Sequence, residues 1–152
     1  MSTAFQKIRF IILLSLLYED STAQSSVALK GSGYSMTLPK SYKILKKQGV
    51  DYNAFYLIEK ASPDSSKNFV MFGCCVGTIG ERLTNANKID SAKASILGQE
   101  VQWKIYTWNS SYLAETLLSF SHSEKAAFGI QTKNRDDINV LISAFGTLHK
   151  SH

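Results

Sequence analysis

Alternating apolar and polar residues dominate the second half of the chain. Over 100–108 one set of alternate positions is largely apolar and the other is largely polar. The first set is Val101, Trp103, Ile105 and Thr107, and the second is Glu100, Gln102, Lys104, Tyr106 and Trp108. A period of two is typical of a β-strand whose two faces differ in exposure. Turn-forming residues at 109–111 and 122–125 separate this segment from two further strand-like segments, 112–121 and 126–132. The pattern therefore predicts a three-stranded antiparallel meander.

Three earlier segments are also predicted to be strands. Residues 34–38 alternate before Pro39, which cannot donate a backbone hydrogen bond. Residues 52–59 are rich in aromatic and branched side chains, and 69–76 is a continuous apolar run whose length favours a strand covered on both faces. The apolar residues of segment 84–97 fit both one face of a helix and a short strand, so the sequence does not decide between the two.

The C-terminal segment carries a helical pattern. Apolar residues recur there at intervals of three and four: Ile138, Leu141, Ile142, Phe145 and Leu148. We expect Asn134 to cap this helix, and Asp136 and Asp137 to lie in its first turn. His149 and Lys150 are expected in its last turn, where the helix dipole favours cations. One face of such a helix must pack on the sheet, so we predict an α+β fold.

The N-terminus has the pattern of an export signal. Lys7 and Arg9 precede an apolar run over 10–18, and small residues lead to Ala23, after which a signal peptidase would cleave. A buried first helix or a membrane anchor is the alternative reading. An anchor needs about 20 apolar residues, roughly twice the length of this run. We therefore predict that residues 1–23 are a cleaved signal peptide.

The remaining chain is expected to form one domain. Residues 24–33 are small and polar and are predicted to be a flexible lead, whereas 34–150 form the single α+β domain: an antiparallel sheet with the C-terminal helix packed on it. Export implies a periplasmic or secreted protein that has no stable membrane insertion after signal cleavage.

The charge pattern argues against nucleic-acid binding. The chain has 17 Lys plus Arg and 12 Asp plus Glu, a formal net charge of +5. Its basic residues are spread along the sequence, whereas a nucleic-acid interface would cluster Arg and Lys on one face. We expect no nucleic-acid partner.

Candidate catalytic and metal-binding residues are few. Adjacent Cα atoms are about 3.8 Å apart, less than the usual span of a disulfide, so a bond between Cys74 and Cys75 would be strained. We interpret the two cysteines as small buried hydrophobic residues. The histidines, His122, His149 and His152, lack the spacing of a metal site. We expect no metal site, no cofactor and no catalytic residues.

Aromatic residues near the end of the predicted hairpin are the candidate binding site. Tyr106 and Trp108 share one side of their strand, and Tyr112 follows the turn. Aromatic clusters often anchor protein partners. The alternative is that both faces of the sheet are covered, one by the C-terminal helix and the other by 84–97. We predict that Tyr106, Trp108 and Tyr112 contact a protein partner.

Three features together resemble the Mog1/PsbP-like superfamily: a first strand that runs into Pro39, a meander, and the closing segment Asp-Ile-Asn-Val-Leu-Ile-Ser-Ala-Phe at 137–145. The resemblance covers nearly all of the mature chain. It implies an antiparallel sheet with helices against it and a family used mostly for binding and accessory roles. Its motifs are patterns of hydrophobicity, so they assign no functional residues.

These observations lead to one main hypothesis and two alternatives. The main hypothesis is an exported, non-catalytic protein-binding module of the cell envelope, one version of which is an immunity or inhibitor protein. The alternatives are an accessory or ligand-binding subunit of an envelope complex and an enzyme that uses Cys75 or His122.

The signal peptide has a direct test. The protein recovered from the cell envelope or medium is expected to begin at Gln24, because cleavage after Ala23 removes the apolar run. N-terminal sequencing or intact-mass measurement checks this, and a chain that retains the first 23 residues would contradict it.

Overall fold

The structure is a computed structural model that describes residues 23–63, 67–78 and 80–151. The predicted signal peptide lies outside the described residues except for Ala23.

Strands make up most of the described chain. In order the elements are β1 (Gln24–Leu29), β2 (Tyr34–Pro39), β3 (Tyr42–Gln48), β4 (Tyr52–Glu59), β5 (Asn68–Gly73), a short 3-10 helix (Gly80–Arg82), β6 (Asn87–Ile96), β7 (Gln99–Trp108), β8 (Ser111–Ser119), β9 (Lys125–Thr132), α1 (Asp136–Gly146) and β10 (His149–Lys150). The predicted α+β class is confirmed.

The strands form two antiparallel sheets. The larger sheet has seven strands in the order β3-β4-β5-β9-β8-β7-β6, and the smaller has the order β1-β2-β10. β7, β8 and β9 pair in sequence, as the meander prediction requires. The turn between β7 and β8 has only two residues, Asn109 and Ser110, both with positive φ (46° and 59°). Such turns match the right-handed twist of a hairpin.

The core lies between α1 and one face of the seven-stranded sheet, which we call the core face. Phe145 of α1 packs against Trp103 of β7 and Phe128 of β9, with ring centroids 5.7 and 5.4 Å apart. Leu29, Met36 and Leu38 of the small sheet belong to the same buried cluster. The opposite side of the seven-stranded sheet is called the outer face.

Three expectations about local structure need correction or completion. The segment predicted as a flexible lead, 24–33, contains β1, because its backbone pairs with β2 and Leu29 is buried. His149 and Lys150 form β10 against β2 instead of the last helical turn, since α1 ends at Gly146. The open segment 84–97 contains the strand β6.

The start of α1 agrees in part with the predicted cap. The helix begins at Asp136, preceded by Arg135, whose side chain makes no capping hydrogen bond. Asn134 Oδ1 instead accepts a hydrogen bond from the Asp136 N–H at 3.1 Å. Asp137 Oδ2 also accepts a hydrogen bond from Thr132 Oγ1 at 2.9 Å, which ties the helix to the end of β9.

The contact of Phe145 with Trp103 and Phe128 predicts a large loss of stability on truncation. Phe145→Ala is expected to lower the free energy of unfolding by about 3–5 kcal/mol, because it removes a fully buried ring and leaves a cavity. Urea denaturation measures this. Val140→Ala on the exposed side of the same helix is the control, with an expected change of less than about 0.5 kcal/mol. A Phe145→Ala variant as stable as the control would contradict the account.

Candidate functional site

The predicted aromatic cluster does not form as expected. Tyr106 is only 3% exposed. Trp108 is half-buried, and its Nε1 donates a hydrogen bond to the Thr84 carbonyl at 3.1 Å. Tyr112 pairs with Thr107, so its side chain lies on the core face, opposite to Tyr106 and Trp108. The three rings are therefore not one exposed patch; the binding of a partner by them stays a prediction.

The segment 80–86 explains why Tyr106 is buried. It lies on the outer face over β7 and β8, where the Gly80 N–H donates to the Glu115 carboxylate at 2.9 Å. A Cβ on Gly80 would lie 2.7 Å from the Tyr106 ring and 2.8 Å from Glu115 Oε1. Glycine is thus required for this close approach. Sequence reasoning missed this contact, because it joins residues that are 35 positions apart in the chain.

The outer face over β3, β4 and β5 carries apolar side chains that are exposed or partly exposed. We call this part the open face and define it by Lys43, Leu45, Lys47, Tyr56, Ile58, Lys67 and Phe69. Leu45 of β3 pairs with Tyr56 of β4, which in turn pairs with Phe69 of β5, so the three form a row across the strands. Leu45 is 56% exposed. α1 packs on the opposite face and does not shield this row.

The apolar row of the open face is held in position by its neighbours. The Tyr56 and Phe69 rings are tilted against each other, with centroids 6.3 Å apart. The Phe69 ring lies over Gly129 of β9, where a Cβ would overlap it. Gly129 therefore leaves room for the Phe69 ring against the backbone of β9. Because the rings pack on each other and on the backbone, they present a preformed surface.

Lysines surround this row. Lys43 and Lys47 flank Leu45 on the same side of β3, since alternate residues of a strand share a face. Lys67 and Lys47 line a groove of about 250 Å³ that also contains Leu45, Tyr56, Ile58 and Pro63. Within the part of the chain that the structure describes, none of these three lysines forms an ion pair. The charged residues of β3, β4 and β5 that point to the outer face are all lysines.

Two exposed cysteines and one exposed histidine lie in loops between the strands. Cys74 and Cys75 are exposed, which corrects the interpretation of them as buried hydrophobic residues: β5 ends at Gly73, so the cysteines follow the strand. His122 lies exposed in the turn between β8 and β9. None of the hydrogen bonds of the described residues joins His122 to either cysteine.

Among the described residues, no group of three or more His, Cys, Asp or Glu side chains converges as metal ligands would. In the same residues, no helix has the length and apolar composition needed to cross a membrane.

The close approach of Gly80 predicts how the outer face would respond to substitution. Gly80→Ala is expected to displace 80–86, because its methyl group would contact Tyr106 and Glu115. Amide hydrogen exchange at 83–86 should accelerate by at least about tenfold, since the segment would open more often. Gly77→Ala is the matched control, because a Cβ there meets nothing within 4 Å. Equal exchange in the two variants would contradict this packing.

Comparison with known proteins supports the fold. No protein-family model matches the chain, and no curated protein matches its sequence. A solved structure that it matches is the solution structure of cyanobacterial PsbP (CyanoP) from Synechocystis sp. PCC 6803, with a TM-score of 0.56 over 86% of this chain and 94% of that one. The two sequences are 12% identical, so the likeness concerns the fold. The chain therefore has a PsbP-like fold, as its resemblance to the Mog1/PsbP-like superfamily implied.

Proposed function

We propose that this protein is an exported, non-catalytic binding module that docks through its open face onto a partner protein. The partner surface would have an apolar centre bordered by carboxylates. The observation that carries the proposal is a set of three lysines that form no ion pair within the described residues and that surround the exposed Leu45 and the partly exposed Tyr56.

The chemistry of the open face is what a protein interface needs. Interfaces combine an apolar centre, often aromatic, with a polar rim. Leu45 and Tyr56 would supply the centre, and Lys43, Lys47 and Lys67 the rim. Rim charges steer the approach of an oppositely charged partner and raise the association rate. The absence of acidic side chains on the outward side of β3, β4 and β5 makes that steering specific for an acidic partner.

The non-catalytic part of the proposal has two supports. The resemblance to the Mog1/PsbP-like superfamily implies binding and accessory roles, and the PsbP-like fold agrees with it. Cys75 and His122, the residues on which an enzyme reading would depend, share no hydrogen bond in the described structure. A nucleophile and its base should lie within hydrogen-bond reach.

Export to the periplasm or the medium is proposed from the sequence. The supporting pattern is the basic, apolar and small-residue succession over 1–23. An immunity or inhibitor protein that blocks an enzyme of the same compartment is one version of this function. An accessory subunit of an envelope complex is the alternative, and co-elution with that complex would distinguish it.

The proposal predicts a specific loss of partner binding. The protein is used as bait in the envelope fraction of the producing cell, and the recovered partner is then titrated against variants. Leu45→Asp is expected to weaken binding by at least about tenfold, because it places a charge in the apolar centre. The double variant Lys43→Glu and Lys47→Glu should slow association and remove most of its salt dependence.

The control for charge is Lys88→Glu with Lys133→Glu, two exposed lysines outside the open face. This control should bind as the unaltered protein does. Equal loss in both double variants would mean that net charge, and not the open face, determines binding. A partner whose affinity is unchanged by Leu45→Asp would contradict the proposal.

A further inference from the structure

Two thiols lie side by side at the end of β5. The Sγ atoms of Cys74 and Cys75 are 3.1 Å apart, and both residues are exposed. In a regular strand adjacent side chains point to opposite faces. Because β5 ends at Gly73, the two cysteines are free of that constraint, and their sulfurs turn towards each other.

The thiols lie beside an open groove. Cys74 lines a cavity of about 480 Å³ that lies among the β1–β2, β3–β4 and β8–β9 turns and the end of β5. One wall consists of the Tyr34 and Phe72 rings, which stack with centroids 5.0 Å apart. The acidic residues that line the cavity are Asp51 and Glu124. A small molecule in the groove reaches Cys74, and the sulfur of the exposed Cys75 lies only 3.1 Å from the Cys74 sulfur.

We propose that Cys74 and Cys75 form a thiol–disulfide exchange site that reacts with low-molecular-weight disulfides and closes a reversible bond between the two cysteines. This function is independent of binding at the open face, which lies on the outer face of β3, β4 and β5.

The exchange takes place in two steps. The Cys75 thiolate, having given its proton to solvent, attacks one sulfur of the disulfide; that S–S bond breaks, and the released thiolate takes a proton from solvent. Cys74 then loses its proton to solvent, and its sulfur attacks Cys75 Sγ and releases the second thiolate. The protein dithiol is oxidised by two electrons, and the small disulfide is reduced to two thiols.

The order of the two steps follows from the environment of Cys74. Its hydrogen bond with Cys75 is the largest cause that raises the pKa of the Cys74 thiol, followed by desolvation and by the negative charges of Cys75 and Asp51. A raised pKa favours the protonated form of the Cys74 thiol. This makes Cys74 the resolving thiol and Cys75 the attacking one.

Covalent geometry explains why the bond would be labile. Cα atoms of neighbouring residues are about 3.8 Å apart, whereas disulfides usually span at least about 4.4 Å. A bond between Cys74 and Cys75 would therefore be strained. Strained and exposed disulfides are the readily reduced ones, as a reversible site requires.

The test uses the purified, reduced protein and glutathione disulfide as the probe. The expected product has lost both thiols, is lighter by about 2 Da, carries no glutathione, and is restored by dithiothreitol. Cys74→Ser should instead retain one glutathione on Cys75, because the resolving thiol is absent. A stable glutathione adduct on the unaltered protein, a disulfide-linked dimer, or two thiols that persist would each overturn the proposal.

A second pair of variants tests the role of Cys74. Asp51→Asn is expected to accelerate ring closure at neutral pH several-fold, since removal of the negative charge lowers the pKa of Cys74. Asp136→Asn, which changes the same charge at the start of α1, is the matched control and should close at the unaltered rate. Equal rates in the two variants would overturn the assignment of Cys74 as the resolving thiol.

Discussion

The contact of Phe145 with Trp103 and Phe128 determines which side of the large sheet is buried. It seats α1 on the core face, where the small sheet completes the core with Leu29, Met36 and Leu38. Because α1 and the small sheet both lie on the core face, neither of them covers the outer face of the seven strands. The asymmetry of this fold, and with it the position of the proposed binding surface, follows from this packing.

The outer face of the large sheet is covered at one end and open at the other. At β7 and β8 the segment 80–86 covers it, and the Gly80 N–H donates a hydrogen bond to Oε2 of the buried Glu115 carboxylate. At β3, β4 and β5 the same face shows Leu45 and Tyr56 bordered by lysines. Two copies of this surface would repel each other, because positively charged lysines border the apolar groups on both. The surface therefore favours a different protein as partner over self-association.

The sequence predicted those elements whose own apolar and polar positions show which face is buried. The period of α1 and the alternation of β7 predicted the helix and the meander, because each buries one face. β1 and β10 were missed since their short, polar sequences become strands by pairing with β2. Tyr112 was misplaced because a two-residue turn sets it opposite Thr107. The open face was missed because Lys43, Leu45 and Lys47 meet Tyr56 and Phe69 through pairing between distant segments.

Partners are proposed to bind the uncovered part of the outer face. Hydrogen–deuterium exchange of the complex with the captured partner, compared with the free protein, tests it most directly. Binding at the open face should slow exchange in peptides that contain 42–48 and 52–59 and leave exchange in α1 unchanged. Protection confined to α1, or to the turns around Tyr34 and Phe72, would contradict it.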